Sequence, residues 1–178
     1  MVCEILLWPD ERLAKASKPV ERVDEEVRRL VSDMFETMHA AEGVGLAAPQ
    51  IGIHQRVVVL DVRPRLPDSS PFALINPRIV QKEGNQLFEE GCLSLPGEFE
   101  AVERAAFVRV EFLNEQGEPQ VLDCEGFLAV AVQHEMDHLD GVVFVDRVSS
   151  LKRELIHKRM KRLKSARAKE KASNEGSI

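Results

Sequence analysis

The stretch Phe127-Leu128-Ala129-Val130-Ala131-Val132-Gln133-His134-Glu135-Met136-Asp137-His138-Leu139 decides the fold. It is apolar first and polar later, and Gly141 just beyond it suits a helix stop, so it predicts a mostly buried helix. On that helix His134 and His138 stand four residues apart on one face, where both imidazoles can reach a single metal ion. Glu135 then falls beside a water held by such an ion and can take its proton. The competing reading of the same residues is a pair of helix-surface histidines with no ion between them.

A catalytic ion needs three protein ligands and an open position. Downstream of His138 the only further His is His157, with Glu154 on the same charged helix face, and neither is buried enough to suit ligation. Upstream, Glu89-Glu90-Gly91-Cys92-Leu93-Ser94-Leu95-Pro96 supplies Cys92, whose thiolate is a soft ligand suited to Fe(II), Zn, Ni or Co. Cys3 and Cys124 are read as small buried or incidental thiols.

Working outward, Val27, Leu30, Val31, Met34, Phe35, Met38 and Ala41 recur with helical spacing after Asp24, a suitable N-cap, and before Gly43, a suitable stop. Residues 43–52, small and Gly-rich, predict a loop where backbone approaches something closely. Arg56–Val62 reads as a buried strand and residues 64–71 as a Pro-rich surface loop. Phe72–Val80 reads as a strand interrupted near Asn76-Pro77, and Phe107–Phe112 with Gln120–Cys124 as a hairpin turning at residues 114–117. A last helix starts at Ser149 or Ser150 on an apolar stripe of Leu151, Leu155, Ile156, Met160 and Leu163, fades near Ala168, and leaves Lys171–Ile178 as a frayed polar end. Helix, strands, helix, helix without regular alternation predicts an α+β fold. Antiparallel or mixed sheets would surround a central helix carrying His-Glu-x-x-His, flanked by N-terminal and C-terminal helices.

The chain has 178 residues, 44% of them hydrophobic and 30% charged, which fits one globular domain with an appendage. Its net charge of −6 hides a division. Residues 1–150 hold 14 Lys and Arg against 27 Asp and Glu, a net −13, while residues 151–178 hold 10 against 3, a net +7. The expected organisation is a catalytic metallohydrolase domain over 1–150 and a basic helix with a frayed tail over 151–178. That tail either seeks an anionic partner or is simply a solvated charged helix. Three cysteines make no disulfide framework, no apolar run approaches membrane-spanning length, and the N-terminus lacks the basic start of a signal peptide. A reducing cytoplasm without disulfides or membrane is the expected setting.

Three motifs together carry a resemblance. Gly43-Val44-Gly45-Leu46-Ala47-Ala48-Pro49-Gln50, Glu90-Gly91-Cys92-Leu93-Ser94 and Gln133-His134-Glu135-Met136-Asp137-His138-Leu139 resemble, in order and spacing, the three signature motifs of the peptide deformylases. The resemblance implies hydrolytic removal of the formyl group from the N-terminal formyl-methionine of nascent bacterial polypeptides, in the cytoplasm. It implies one divalent metal ion, usually Fe(II) with Ni, Co or Zn able to substitute, on Cys92, His134 and His138. It places the catalytic carboxylate on Glu135, the glutamine on Gln50 and a backbone N–H donor on Leu93. It also implies docking to the ribosome through the basic C-terminal helix. Where some members carry an Arg that helps hold the substrate backbone, Gly97-Glu98-Phe99-Glu100-Ala101 has none before Arg104.

These residue types suit that reaction. A formyl amide is a poor electrophile, and a metal brings the pKa of its bound water near ~7. Glu135 can accept that proton and deliver it to the leaving amine. Gln50 and Leu93 N–H can donate to the oxyanion; losing one such donor typically costs roughly 2.7–4 kcal/mol in the barrier. Gly43 and Gly45 leave backbone open to pair with a substrate strand. Val44, Phe88, Phe127, Val130 and Ala131 are the candidates for a methionine pocket, against plain core packing. Glu90 and Asp137 are candidates to orient ligand imidazoles or Arg104. Two other functions remain open at this point: an endoprotease of the His-Glu-x-x-His type, and a ribosome- or nucleic-acid-binding module with a structural metal.

Overall fold

The structure is a computed structural model and describes residues 1–176. Its elements in chain order are α1 (Glu25–Ala40), β1 (Gly45–Ala47), β2 (Val57–Leu60), β3 (Phe72–Glu83), β4 (Gln86–Cys92), β5 (Leu95–Arg104), β6 (Phe107–Leu113), β7 (Pro119–Glu125), α2 (Gly126–Leu139) and α3 (Ser150–Glu175). One sheet has the order β1-β2-β3-β6-β7, and β4 pairs with β5 as a separate hairpin. Every pairing between these strands is antiparallel, so the α+β expectation holds.

β2 explains the layering. Val57 and Val59 pack on α1 residues such as Val31, Met34 and Met38, while Val58 and Leu60 pack on α2 residues such as Ala129, Val132 and Met136. Successive side chains of a strand point to opposite faces. Because both faces are covered, the strand reads as a continuous apolar run rather than an alternating one. Each such Val or Leu contributes roughly 1.5–3 kcal/mol by leaving water. α2 is apolar around its first turns and lies buried, with residues 129–136 all inside. Gly141 follows it with a φ of 76°, and a side chain there would meet the Ala14 carbonyl oxygen at 2.5 Å. α1 starts as expected on Asp24, which accepts from Val27 N–H at 3.1 Å.

Several boundaries differ from the sequence reading. Residues 43–52 are not wholly a loop: they form β1 and then a 3₁₀ turn over Ala48–Ile51, because the apolar run pairs with Val58–Leu60. β3 runs on to Glu83, and the interruption expected near Asn76-Pro77 is a register shift between Ile75 and Arg78, followed by a second between Ile79 and Gln81. Asn76 there adopts a φ of 50°, and its side chain holds both Val20 N–H (2.7 Å) and Val20 C=O (2.8 Å). The β4–β5 hairpin has no counterpart in the expected elements. α3 continues through Glu175, past Ala168, since Lys, Glu and Ala sustain a helix even without burial. The expected fraying of Lys171–Ile178 is thus replaced by helix up to Glu175, while its last residues, 177 and 178, lie outside the described residues. α3 is also partly core: Ile156 and Met160 are buried with Trp8, Leu13, Leu95 and Phe144.

Candidate metal centre

Two elements meet to build the site. α2 carries His134, Glu135 and His138, and the end of β4 carries Cys92. Between Gly91 and Cys92 the β4–β5 register slips, so Cys92 stands opposite Leu95. Such a bulge re-aims a side chain, and here Cys92 Sγ comes to 3.4 Å from His138 Nε2. One ligand atom each from Cys92, His134 and His138 all lie within 4.8 Å of one another. Bonds of about 2.0–2.3 Å to one ion require separations of this order. Among the described residues this is the one cluster of its kind. His157 is elsewhere, edge-on to Trp8 with ring centroids 5.5 Å apart, and Glu154 pairs with Lys158 at 3.3 Å.

The supporting residues fix the donor atoms. His134 Nδ1 meets Glu90 Oε1 at 2.8 Å, which leaves Nε2 for an ion. Arg104 donates twice to Glu90, at 2.8 Å each, and to Asp137 at 2.5 Å. Asp137 in turn accepts from Arg147 at 2.7 and 2.8 Å. Asp137 therefore faces arginines, and of these two carboxylates it is Glu90 that meets an imidazole of the cluster. Burial works against the Glu90 carboxylate, but Arg104 and His134 outweigh it and hold its pKa below the ordinary value. Burial also works against a charged His134, yet Cys92 and Glu90 reverse this and hold that ring well above its ordinary value. His138, buried and beside His134, is pushed well below. Cys124 is pushed up to about 12 by burial, which suits its reading as an unreactive thiol.

Glu135 is 6% exposed, and its Oε2 has no hydrogen-bond partner. Burial raises its carboxyl to about 7. Its other oxygen leaves no room at Gly45, where a Cβ would sit 2.5 Å from Oε1. The close backbone approach expected for this segment is therefore made to Glu135. Gln50 is held by three contacts: Oε1 accepts from Ala47 N–H at 2.9 Å, and Nε2 donates to Ser94 Oγ at 3.1 Å and Cys92 Sγ at 3.5 Å.

A groove of about 1810 Å³ opens over these groups. Val44, Gly45, Phe88, Phe127, Val130 and Ala131 all line it beside His134, Glu135, Cys92 and Leu93. Gln50 and His138 lie deeper, each 1% exposed. Sequence reasoning missed three contributors. Gln133 clamps α2 to the β5–β6 turn through Ala105 N–H (3.1 Å) and C=O (3.0 Å). Ser94 orients Gln50. Arg65 reaches the groove from the 61–71 loop. A polar residue amid an apolar helix was the available signal for Gln133; for Arg65 nothing local pointed inward.

A thiolate and two imidazoles beside a buried carboxylate, on an α+β frame, define a metal-dependent hydrolase. Residues 2–154 match the family model described as Polypeptide deformylase. A peptide deformylase of Neisseria gonorrhoeae is 54% identical over 158 residues, covering 89% of this chain and 93% of that protein. The crystal structure of a peptide deformylase from Legionella pneumophila aligns with a TM-score of 0.89 at 45% identity, covering 94% of this chain and 98% of that one. The Ehrlichia chaffeensis enzyme in complex with actinonin aligns with a TM-score of 0.87 at 41% identity, covering 90% and 96%. The chain belongs to the peptide deformylase family. It is a metal-dependent hydrolase that removes the N-formyl group from nascent, formyl-methionyl peptides. The endoprotease and binding-module readings are set aside by this membership. No helix among the described residues is long and apolar enough to cross a membrane, and all three cysteines are free thiols.

Proposed function

We propose that Cys92, His134 and His138 hold the metal ion and that Glu135 is the catalytic carboxylate. The observation that carries this is the meeting of three ligand atoms within 4.8 Å beside the unpartnered, buried Glu135 Oε2. When bound, the ion supplies a Lewis acid that polarises the formyl carbonyl and acidifies water. Glu135 takes the proton of the attacking water and passes it to the leaving amine nitrogen, so that formate departs and a free amino terminus remains. Gln50 Nε2 and the Leu93 N–H donate to the oxygen that gains charge at the formyl carbon. The contacts to Ala47 N–H and Ser94 Oγ hold the Gln50 carboxamide in place before substrate arrives, and the N–H now directed at Cys92 Sγ at 3.5 Å is the one that turns to the oxyanion. Val44, Gly45, Phe88, Phe127, Val130 and Ala131 receive the methionine side chain, and the β1 edge pairs with the substrate backbone.

The native ion in this reading is Fe(II), for which a thiolate with two imidazoles is a fitting soft set, with Ni, Co or Zn able to replace it. Chemistry belongs to residues 1–150, and residues 151–178 form a basic appendage that docks on ribosomal RNA in the bacterial cytoplasm. Lys161, Arg162, Lys164, Arg167, Lys169 and Lys171 are exposed or partly exposed on α3 and support that reading. Anaerobic purification with metal analysis, paired with release of formate from formyl-Met-Ala, tests the centre. One ion per chain, lost together with activity in Cys92→Ala, is the expected result. A Cys92→Ala variant that keeps full metal occupancy removes Cys92 from the ligand set.

A further inference from the structure

The guanidinium of Arg65 lies 4.9 Å from the Phe127 ring centroid and 5.5 Å from that of Phe88. The two rings are themselves 5.5 Å apart, so the three groups form one cluster. All three line the groove that contains His134 and Glu135. No carboxylate neutralises Arg65 among the described residues. A cation over aromatic faces is attracted by their negative π-clouds, and Arg does this with a flat group that covers area as well as carrying charge.

The backbone that presents Arg65 is fixed. Val62 C=O accepts from both Arg65 N–H (3.0 Å) and Leu66 N–H (2.8 Å), forming a tight turn after β2. At the start of that turn Asp61 is gripped by Arg63 at 2.8 and 2.6 Å and by His39 at 2.8 Å. Arg65 is therefore an exposed residue on a fixed turn, with its guanidinium laid across two half-buried rings. Phe99, in the stretch 97–101 that lacks an Arg, also lines the groove and is 61% exposed.

We propose that Arg65 is the specificity-determining end wall of the methionine pocket. Its guanidinium, lying over Phe88 and Phe127, closes the pocket at the length of an unbranched thioether chain and rejects longer or bulkier side chains. This rests on the reading of Phe88 and Phe127 as pocket residues. Truncating Arg65 opens the far end and leaves the rings in place. A residue of similar reach without charge keeps the wall but not the cation–π contact.

The test compares kcat and KM of wild type, Arg65→Ala and Arg65→Met on formyl-Met-Ala-Ser and formyl-Phe-Ala-Ser. Wild type favours the Met peptide. In Arg65→Ala the Met:Phe ratio of kcat/KM falls about tenfold, mainly through a lower KM for the Phe peptide, a size of effect typical for one pocket contact. Arg65→Met retains most of the ratio. If Arg65→Ala slows both peptides by the same factor, Arg65 grips the backbone or steadies the loop, and the proposal is wrong. An unchanged ratio overturns it equally. If wild type releases formate from neither peptide, the deformylase reading fails and takes the proposal with it.

Discussion

α2 and α3 treat their polar residues in opposite ways. On α2, Gln133 is bonded to Ala105, His134 to Glu90 and Asp137 to two arginines, all in or beside the core. What stays unpartnered there is Glu135 Oε2 and His138 Nδ1. On α3 the charges stand in water and pair, where they pair, at the surface: Lys152 with Glu100, Arg159 with Glu98, Lys158 with Glu154. The contrast teaches that buried charge persists only where neighbours compensate it, whereas charge in water stays free to be exchanged for a partner of opposite sign.

The sharpest break of this contrast lies in α2. His134→Ala should remove both the ion and turnover, while Glu135→Gln should keep the ion and lower kcat about 10²–10⁴-fold; metal analysis and formate release check both. Next comes the prop itself. Arg104→Met takes from the buried Glu90 carboxylate its arginine and leaves Asp137 to Arg147 alone, and should cost about 3–5 kcal/mol, read by denaturant unfolding. On α3, Ile156→Ala should cost about 2–5 kcal/mol although the helix is mostly exposed, whereas Leu151→Ala, 68% exposed, should stay within about 0.5 kcal/mol.

A smaller effect appears only in acid. Arg63, against the opposition of burial and with help from His39, holds the Asp61 carboxyl well below its ordinary value of 3.8. A depressed carboxylate stabilises the fold fully above that ordinary value, and the contribution drains away as pH falls below it. The drop in Tm between about pH 5 and pH 3 should therefore be shallower in Asp61→Asn. Smallest in stability is Lys164→Gln with Arg167→Gln, within about 0.5 kcal/mol. If α3 docks on RNA, the same pair should lower the slope of log affinity for ribosomes against log salt by about one per cation removed. An unaltered slope would detach α3 from that role.

α1 was legible from its helical period, and β2 and α2 from their apolar runs. The cluster of Cys92, His134 and His138 was legible because two of its members lie one helical turn apart and the third sits in a distinctive motif. The β4–β5 hairpin was not. Burial alternates along both strands, but polarity does not follow it: Leu87 and Phe99 are exposed, while Glu90 and Arg104 are buried. The far end of α3 was cut short for a related reason: beyond Leu163 no apolar stripe marks the helix, and propensity alone carries it to Glu175. Ser94 and Arg65 escaped because their roles come from contacts across 44 residues to Gln50 and across loops to Phe88 and Phe127. Such partners are fixed by tertiary packing, not by spacing.

β1 is an edge strand with only one neighbour in its sheet, and it is three residues long. An open strand edge invites any extended chain, including another copy of the same protein, to stack on it and start a fibre. Three residues give a passing peptide a few main-chain bonds but give a second folded molecule too little to hold. Brevity thus favours a short extended peptide over a second folded molecule as the partner of this edge.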